Sequence, residues 1–252
     1  MIEENVIKTQ QQLYEKKAKG YFKHHGDLYS QRYRDGFIRN PLFRGIELQG
    51  KKVLDGMAAF GPETGFLIDK GAEVIGLDIS PANAQLYREK WDLDCKIASI
   101  HETGFPDSYF DCVYICGGLH HIHPLLEETI TEIYRILKGG GHFCFMEPNK
   151  DTWLNRIRTT WYRLDKRFDK NEEAISYGKQ LKPFLRIGFK EIIFETGGNI
   201  AYILIAQSLI VGIPHLLKRL IYRPVFAIEG LLNKIPFVPR TFFIGVWQKT
   251  MG

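Results

Sequence analysis

The sequence predicts an α/β fold, a doubly wound sheet with helices on both faces. Three observations predict it. From residue 52 onward short apolar runs alternate with helical patterns, and most of the helical stretches carry their own start and stop signals. A loop of small residues follows the first run, with a carboxylate about two dozen residues further on.

The bulk numbers fit one globular domain over 1–252: 44% of residues are hydrophobic, 25% are charged, and no repeat or low-complexity stretch interrupts the chain. That composition excludes disordered and fibrous classes. Within the domain we expect an N-terminal helical cap (1–44), a core (45–196), an apolar and basic insert (197–240) and a last strand (241–252). Cys95, Cys112, Cys116 and Cys144 sit in apolar runs without a C-x-x-C spacing, so they read as buried reduced thiols and no metal site is expected. Residues 1–12 are polar and lack the basic-then-apolar order of a signal peptide, which predicts a cytoplasmic compartment.

The elements follow in order. Residues 6–22 space their apolar positions as a helix does, and an aromatic, basic stretch runs over 21–44. Strands are expected at 52–54, 73–77, 95–98, 112–116 and 142–146. Ser80-Pro81 caps and opens a helix at 82–90, while Pro124 opens one over 125–137 that Gly139-Gly140-Gly141 ends. A further helix over 171–186 leads through Gly188 to a strand at 189–195, and 241–248 reads as the seventh and last strand.

In an open parallel sheet, ligands bind beyond the carboxyl ends of the strands. The first strand ends at Asp55, and the loop Gly56-Met57-Ala58-Ala59-Phe60-Gly61 turns into a helix near Pro62. Small residues there let backbone amides approach a ligand. Asp78 closes the second strand at a spacing that suits ribose hydroxyls; the plainer alternative is that it only caps a helix.

Further along, Phe105-Pro106-Asp107-Ser108-Tyr109-Phe110-Asp111 approaches a strand ending in Leu119-His120-His121. Arg135-Ile136-Leu137-Lys138-Gly139-Gly140-Gly141 follows. In this order and spacing, from Tyr29 to Asn149, the chain resembles the class I S-adenosylmethionine-dependent methyltransferases, in particular the small-molecule group with L-P-F, L-H-H and L-K-P-G-G elements. The resemblance implies a seven-stranded mixed sheet of order 3-2-1-4-5-7-6 with the seventh strand antiparallel, and S-adenosylmethionine as cofactor. It places Asp55 beneath the methionine portion and Met57, Ala59 and Gly61 where three glycines are usual. Asp78 falls at the ribose and Ile79 against the adenine. Ser99 and Ile100 fall at the adenine amino group and ring, with Ser99 replacing a frequent acid. Cys116 and Gly117 fall at the backbone that receives the cofactor's amino group. Alanine at 59 is acceptable there where φ is negative.

Methyl transfer needs a base only when the acceptor carries a proton. His120, His121 and Glu147, at the ends of the fourth and fifth strands, are the candidates. The plainer alternatives are a histidine bonded to a backbone carbonyl and a solvated Glu147 that merely ends a strand. His123 borders a helix. Tyr29 and Tyr33 read either as a lid over the cofactor or as surface aromatics.

The net charge of +5 is concentrated from residue 198 onward, where Lys218, Arg219, Arg223, Lys234, Arg240 and Lys249 face the single acid Glu229. The apolar runs at 200–206 and 209–211 and at Leu216-Leu217 are interrupted too often for a membrane span. Two readings stand: a helix pair burying its face on the sheet, or peripheral membrane contact through 200–240. Either suits a small, hydrophobic or lipid-like substrate. Nucleic acid is disfavoured because the basic residues are interleaved with aliphatics. A non-catalytic methyltransferase-like module and a nicotinamide-dependent oxidoreductase remain as alternative functions.

Overall fold

The computed structural model describes residues 27–155, 159, 173–207 and 213–251. The expected helix at 6–22, the apolar run at 209–211 and the start of the expected 171–186 helix lie outside the described residues.

Seven strands form one sheet: β1 (Lys52–Gly56), β2 (Glu73–Asp78), β3 (Cys95–Ile97), β4 (Phe110–Cys116), β5 (Leu137–Pro148), β6 (Phe189–Gly197) and β7 (Phe242–Lys249). Their order is β3-β2-β1-β4-β5-β7-β6. β1 to β5 pair in parallel, and β7 runs antiparallel to both β5 and β6. This is the order the resemblance implies.

Alternation along the strands splits the core in two. Leu54, Val113, Ile115, Phe143 and Phe145 point to one face, with Ile130 and Ile133 of helix α4 (Leu126–Ile136). Val53, Cys112, Tyr114, Cys144 and Met146 point to the other, with Leu67 of helix α2 (Thr64–Asp69). Strands covered on both faces read as continuous apolar runs, and each such buried side chain contributes about 1.5–3 kcal/mol. Helix α3 (Pro81–Trp91) begins as its sequence predicts, with the Ser80 hydroxyl accepting the Asn83 amide at 3.3 Å.

Two expectations are corrected. Helix α4 stops at Ile136 and β5 begins at once, so Gly139-Gly140-Gly141 lies inside the strand. Lys249 Nζ donates to the Tyr134 and Leu137 carbonyls and so caps the helix end. Gly141 serves a close approach: a Cβ there would lie 2.9 Å from the Lys138 oxygen and 3.0 Å from that of Asp111, beside a bulge in the β4–β5 pairing. The second correction concerns 171–186. Ile175 instead pairs beside the end of β5, exchanging backbone hydrogen bonds with Pro148 and Lys150, and only short helical turns follow, a wide one at Tyr177–Leu181 and a tight one at Lys182–Ile187. A backbone committed to a neighbouring strand has no donors left for a helix.

Over one face lies the cap. Helix α1 (Leu28–Arg34), N-capped by Asp27, runs into a wide turn, Asp35–Arg39. Helix α5 (His215–Leu232) packs against it. Their contact is polar and buried. Lys218 Nζ donates to Asp27 at 2.6 Å, and the Tyr33 hydroxyl donates to Glu229 at 2.7 Å. Glu229 also accepts the amides of Asn199 and Ala201. The insert therefore covers the cap and also buries part of its face on the sheet, where Ala201 and Ala206 join the core and the Tyr202 ring packs 5.1 Å from that of Phe242.

Candidate active site

The ends of β1, β2, β4 and β5 meet on one rim. At the end of β1, Gly56 leaves room for its neighbours: a Cβ there would lie 3.1 Å from Ile115 and 3.2 Å from Ile100. The loop beyond it hugs β2, with the Ala58 amide donating to the Leu77 carbonyl and the Ala59 amide to the Asp78 carboxylate at 2.8 Å. This geometry requires left-handed backbone at Met57 (φ 56°), Ala59 (φ 50°) and Gly61 (φ 75°). The expectation of a negative φ at residue 59 is thus overturned. Both non-glycine residues hold a conformation that costs an L-residue roughly 1–2 kcal/mol.

Asp78 is buried and accepts from three donors: the amides of Ala59 and Ser80 and the Asn83 side chain. Burial raises its carboxyl above the ordinary range in spite of those bonds. Ser80, and not Asp78, fills the cap position of α3. Asp55 lies deeper, and burial lifts its carboxyl to about 7, with only the Thr64 hydroxyl, 2.6 Å away, acting strongly against the shift. Ile79 and Ser99 are half-buried nearby, and the Ser99 hydroxyl lies 2.6 Å from His101 Nδ1. Ile100 is buried in the core beneath Gly56.

On the other side of the rim, β4 ends in Cys116 and Gly117. The Gly117 amide donates to the Met146 carbonyl at 2.7 Å, and its φ of 69° turns the chain into Leu119–His121. That turn wraps around Glu147. The carboxylate accepts the amides of Gly118 and Leu119 on Oε1 and that of His120 on Oε2, with His120 Nδ1 2.8 Å from Oε2. Glu147 is fully buried, which overturns the alternative of a solvated strand end, and burial pushes its carboxyl up to about 8. His121 packs against His120 with ring centroids 3.9 Å apart and the planes tilted by 38°. His123 lies apart, with Nε2 2.8 Å from the Glu173 carbonyl.

A further buried cluster lies behind the loop and had no local signal in the sequence. Glu63, just before α2, takes Arg34 and Arg39 from the cap and the Tyr114 hydroxyl from β4. The two guanidiniums hold its carboxyl down at about 2 against the opposing effect of burial. Arg39 also donates to the Pro62 carbonyl, so the cap grips the loop directly. Tyr33 is wholly buried in this region and is not a mobile lid; Tyr29 is buried too, its ring against His215 and Tyr222 of α5.

Beyond β5 opens a cleft of about 560 Å³ lined by Asn149, Trp153, Tyr177, Phe194, Phe237 and Arg240 among others. Four aromatic side chains line it, beside Asp151 and the cationic Lys182 and Arg240. Such a cleft favours an apolar molecule with one polar end.

The rim fits an adenosyl cofactor by its donor and acceptor set. Two carboxylate oxygens offer about four lone-pair positions and Asp78 uses three, leaving one for a ribose hydroxyl. Phe60 is buried away from the rim, with Lys90 over its ring. Met57 reaches across to Gly118, and its thioether is a flexible group that a ligand can displace.

Comparison with known proteins agrees. Residues 56–145 match the family described as "Methyltransferase domain". A sterol 24-C-methyltransferase of Pneumocystis carinii is 32% identical over 151 residues, which is 56% of this chain and 36% of that one. The chloroplastic 2-methyl-6-phytyl-1,4-hydroquinone methyltransferase of Arabidopsis thaliana is 33% identical over 127 residues, 49% of this chain and 35% of that one. The chain thus spans little more than a third of the length of these two relatives. Among solved structures, a SAM-dependent methyltransferase from Archaeoglobus fulgidus superposes with a TM-score of 0.61 at 20% identity, covering 91% of this chain and 96% of that one. Sheet order, rim and matched segment concur: residues 56–145 match the methyltransferase-domain family, and they sit in a sheet with the fold of S-adenosylmethionine-dependent methyltransferases.

Proposed function

We propose that this chain transfers the methyl group of S-adenosylmethionine to an O, N or C atom of a small, hydrophobic acceptor. The observation that carries the reading is the join of the β1 loop to β2, where the Ala59 amide and the Asp78 carboxylate meet at 2.8 Å beside the open rim. Asp78 receives a ribose hydroxyl, Ile79 and Ser99 flank the adenine, and Ile100 supports the loop from below. Asp55, Met57, Ala59 and Gly61 shape the floor under the methionine portion, and the backbone of Cys116 and Gly117 receives its amino group.

When bound, the cofactor supplies an electrophilic methyl carbon, so the protein's part is orientation and proton handling. His120 takes the acceptor's proton on Nε2. Glu147 faces Nδ1 and fixes the ring's tautomer, as a buried carboxylate does for a histidine base. His121 holds the His120 ring by packing against it. The aromatic cleft beside β5 receives the acceptor, and the sterol and hydroquinone methyltransferases among the relatives support an apolar one. We take 1–252 as one working unit in the cytoplasm, with no nucleic-acid partner, in which the cap 1–44 buttresses the loop and the insert 197–240 flanks the acceptor side.

Isothermal titration with S-adenosylmethionine, S-adenosylhomocysteine and NAD tests this reading. The first two should bind and NAD should not, and Asp78→Ala should abolish binding of both. Binding of NAD alone, or unchanged binding by Asp78→Ala, would remove the assignment. For the base, His120→Ala should lower turnover of a hydroquinone or sterol acceptor by about a hundredfold with cofactor affinity retained. Equal turnover would take His120 out of the chemistry.

A further inference from the structure

We propose that the outer face of α5 and the turn that follows it dock the protein on an anionic lipid bilayer. The inference rests on the hydrophobic-acceptor reading only for its purpose; the surface itself stands on separate observations.

Helix α5 is fixed by its inner face. Lys218 is tied to Asp27 and Ser30, and Glu229 to Tyr33, Asn199 and Ala201, so the side turned outward is set by buried bonds. That outward side is apolar. Leu216 is 68% exposed, Leu220 70% and Leu231 63%, with Leu217 and Ile228 also exposed. At 100° per residue these five fall within an arc of about 120° on the helix. Phe237, in the turn beyond, is 99% exposed and held out by a left-handed backbone at φ 69°.

Charge decides the occupant. The only acid of α5 is Glu229, and it points inward, completely buried. Arg219 and Arg223 are exposed along one edge of the apolar stripe, and Lys234 is exposed just past its end. The outward face thus carries large aliphatic side chains, cations and no carboxylate. A bilayer with anionic headgroups matches both features: leucines enter the acyl boundary while the guanidiniums stay at headgroup level. The contact is interfacial, since no helix among the described residues is long and apolar enough to cross a membrane. Phe237 also lines the aromatic cleft together with Trp153, itself exposed. The docked face therefore runs up to the mouth of that cleft, and an apolar acceptor dissolved in the bilayer has a short route to the rim.

Co-sedimentation tests the proposal, with vesicles of phosphatidylcholine alone and of phosphatidylcholine mixed with phosphatidylglycerol. The full chain should partition onto the mixed vesicles, weakly or not at all onto the neutral ones, and be released as salt rises. Arg219→Gln and Arg223→Gln should each weaken partitioning about fivefold. Leu220→Asp with Leu231→Asp should weaken it by roughly tenfold or more. No binding of the wild type to mixed vesicles, or unchanged binding by the leucine variant, would overturn the proposal. So would a lipid-free dimer in sedimentation equilibrium that the leucine variant dissociates, because the face would then be covered by a second copy. S-adenosylmethionine titration of each variant should match the wild type. That control shows the variants are folded and separates failure of the docking face from failure of the methyltransferase reading.

Discussion

The Glu147 carboxyl lies 2.8 Å from Nδ1 of His120, and the backbone amides of Gly118, Leu119 and His120 donate into the same carboxyl. The backbone of the turn that presents the histidine thus also clamps the group behind it. A base held this way keeps Nδ1 facing its carboxyl partner.

The first prediction concerns pH. Burial lifts Glu147 to about 8, so at neutral pH the pair retains a proton that an exposed glutamate would have lost. Loss of that proton leaves a carboxylate facing N–H at Nδ1 and a lone pair on Nε2. Turnover of a protonated acceptor should therefore rise with pH through an apparent pKa near 8 that belongs to the pair. Glu147→Gln should remove this limb and lower kcat about a hundredfold. A pH–rate profile at saturating cofactor checks it, and a limb that persists in Glu147→Gln would assign it to another group.

The second prediction uses the loop's backbone. Ala59 holds φ 50° with no gain that an alanine needs, so Ala59→Gly should raise unfolding stability by about 0.5–1 kcal/mol. Gly61→Ala should do the reverse. A Cβ there would lie 2.3 Å from Trp91 Nε1 and 2.6 Å from the Thr64 hydroxyl, at φ 75°, and about 2 kcal/mol or more is expected to be lost. Urea unfolding of the two variants separates the signs.

The contrast also shows what the sequence could disclose. The strands themselves, the rim loop, Asp78 at its strand end and the segment ending in Leu119-His120-His121 were legible because each rests on a contiguous segment, whereas the strand order came only through the family resemblance. The backbone signs at Met57 and Ala59 were not, because neither residue advertises a left-handed conformation as glycine does. Glu63 was invisible for another reason. Its partners Arg34, Arg39 and Tyr114 stand 29, 24 and 51 positions away, and no periodicity marks a pair that only the tertiary fold assembles. The start of the segment after 173 misled because its helix-like spacing was overridden at Ile175 by hydrogen bonds to Pro148 and Lys150 at the end of β5.

A third prediction addresses the cap. Glu229→Leu would leave the Tyr33 hydroxyl and the amides of Asn199 and Ala201 buried without their acceptor, and about 3 kcal/mol of stability should be lost. Glu229→Gln keeps an acceptor oxygen and should cost about half as much. Hydrogen exchange supplies the readout that locates the damage. Amides of α1 should exchange faster in Glu229→Leu while those of β4 and β5 change little, since both are central strands hydrogen-bonded on either side.

The last prediction links Asp55 to the stability curve. Its carboxyl titrates at about 7 in the folded chain because burial opposes its charge, whereas an unfolded aspartate titrates near 3.9. Between those values the native state holds a proton that the unfolded state has released. Stability must then fall as pH rises through this window, by at most about 1.4 kcal/mol per pH unit, and level off above about 7. Glu147 adds a slope of the same sign up to about 8, so the wild type should weaken steadily from mildly acid to mildly alkaline conditions. Asp55→Asn keeps an acceptor for the Thr64 hydroxyl but carries no titrating proton, and it should flatten the part of the curve below about 7 while leaving the Glu147 part in place. Urea midpoints across that pH range measure it; an unchanged slope in Asp55→Asn would mean that the buried carboxyl is already charged at the lower end of the window.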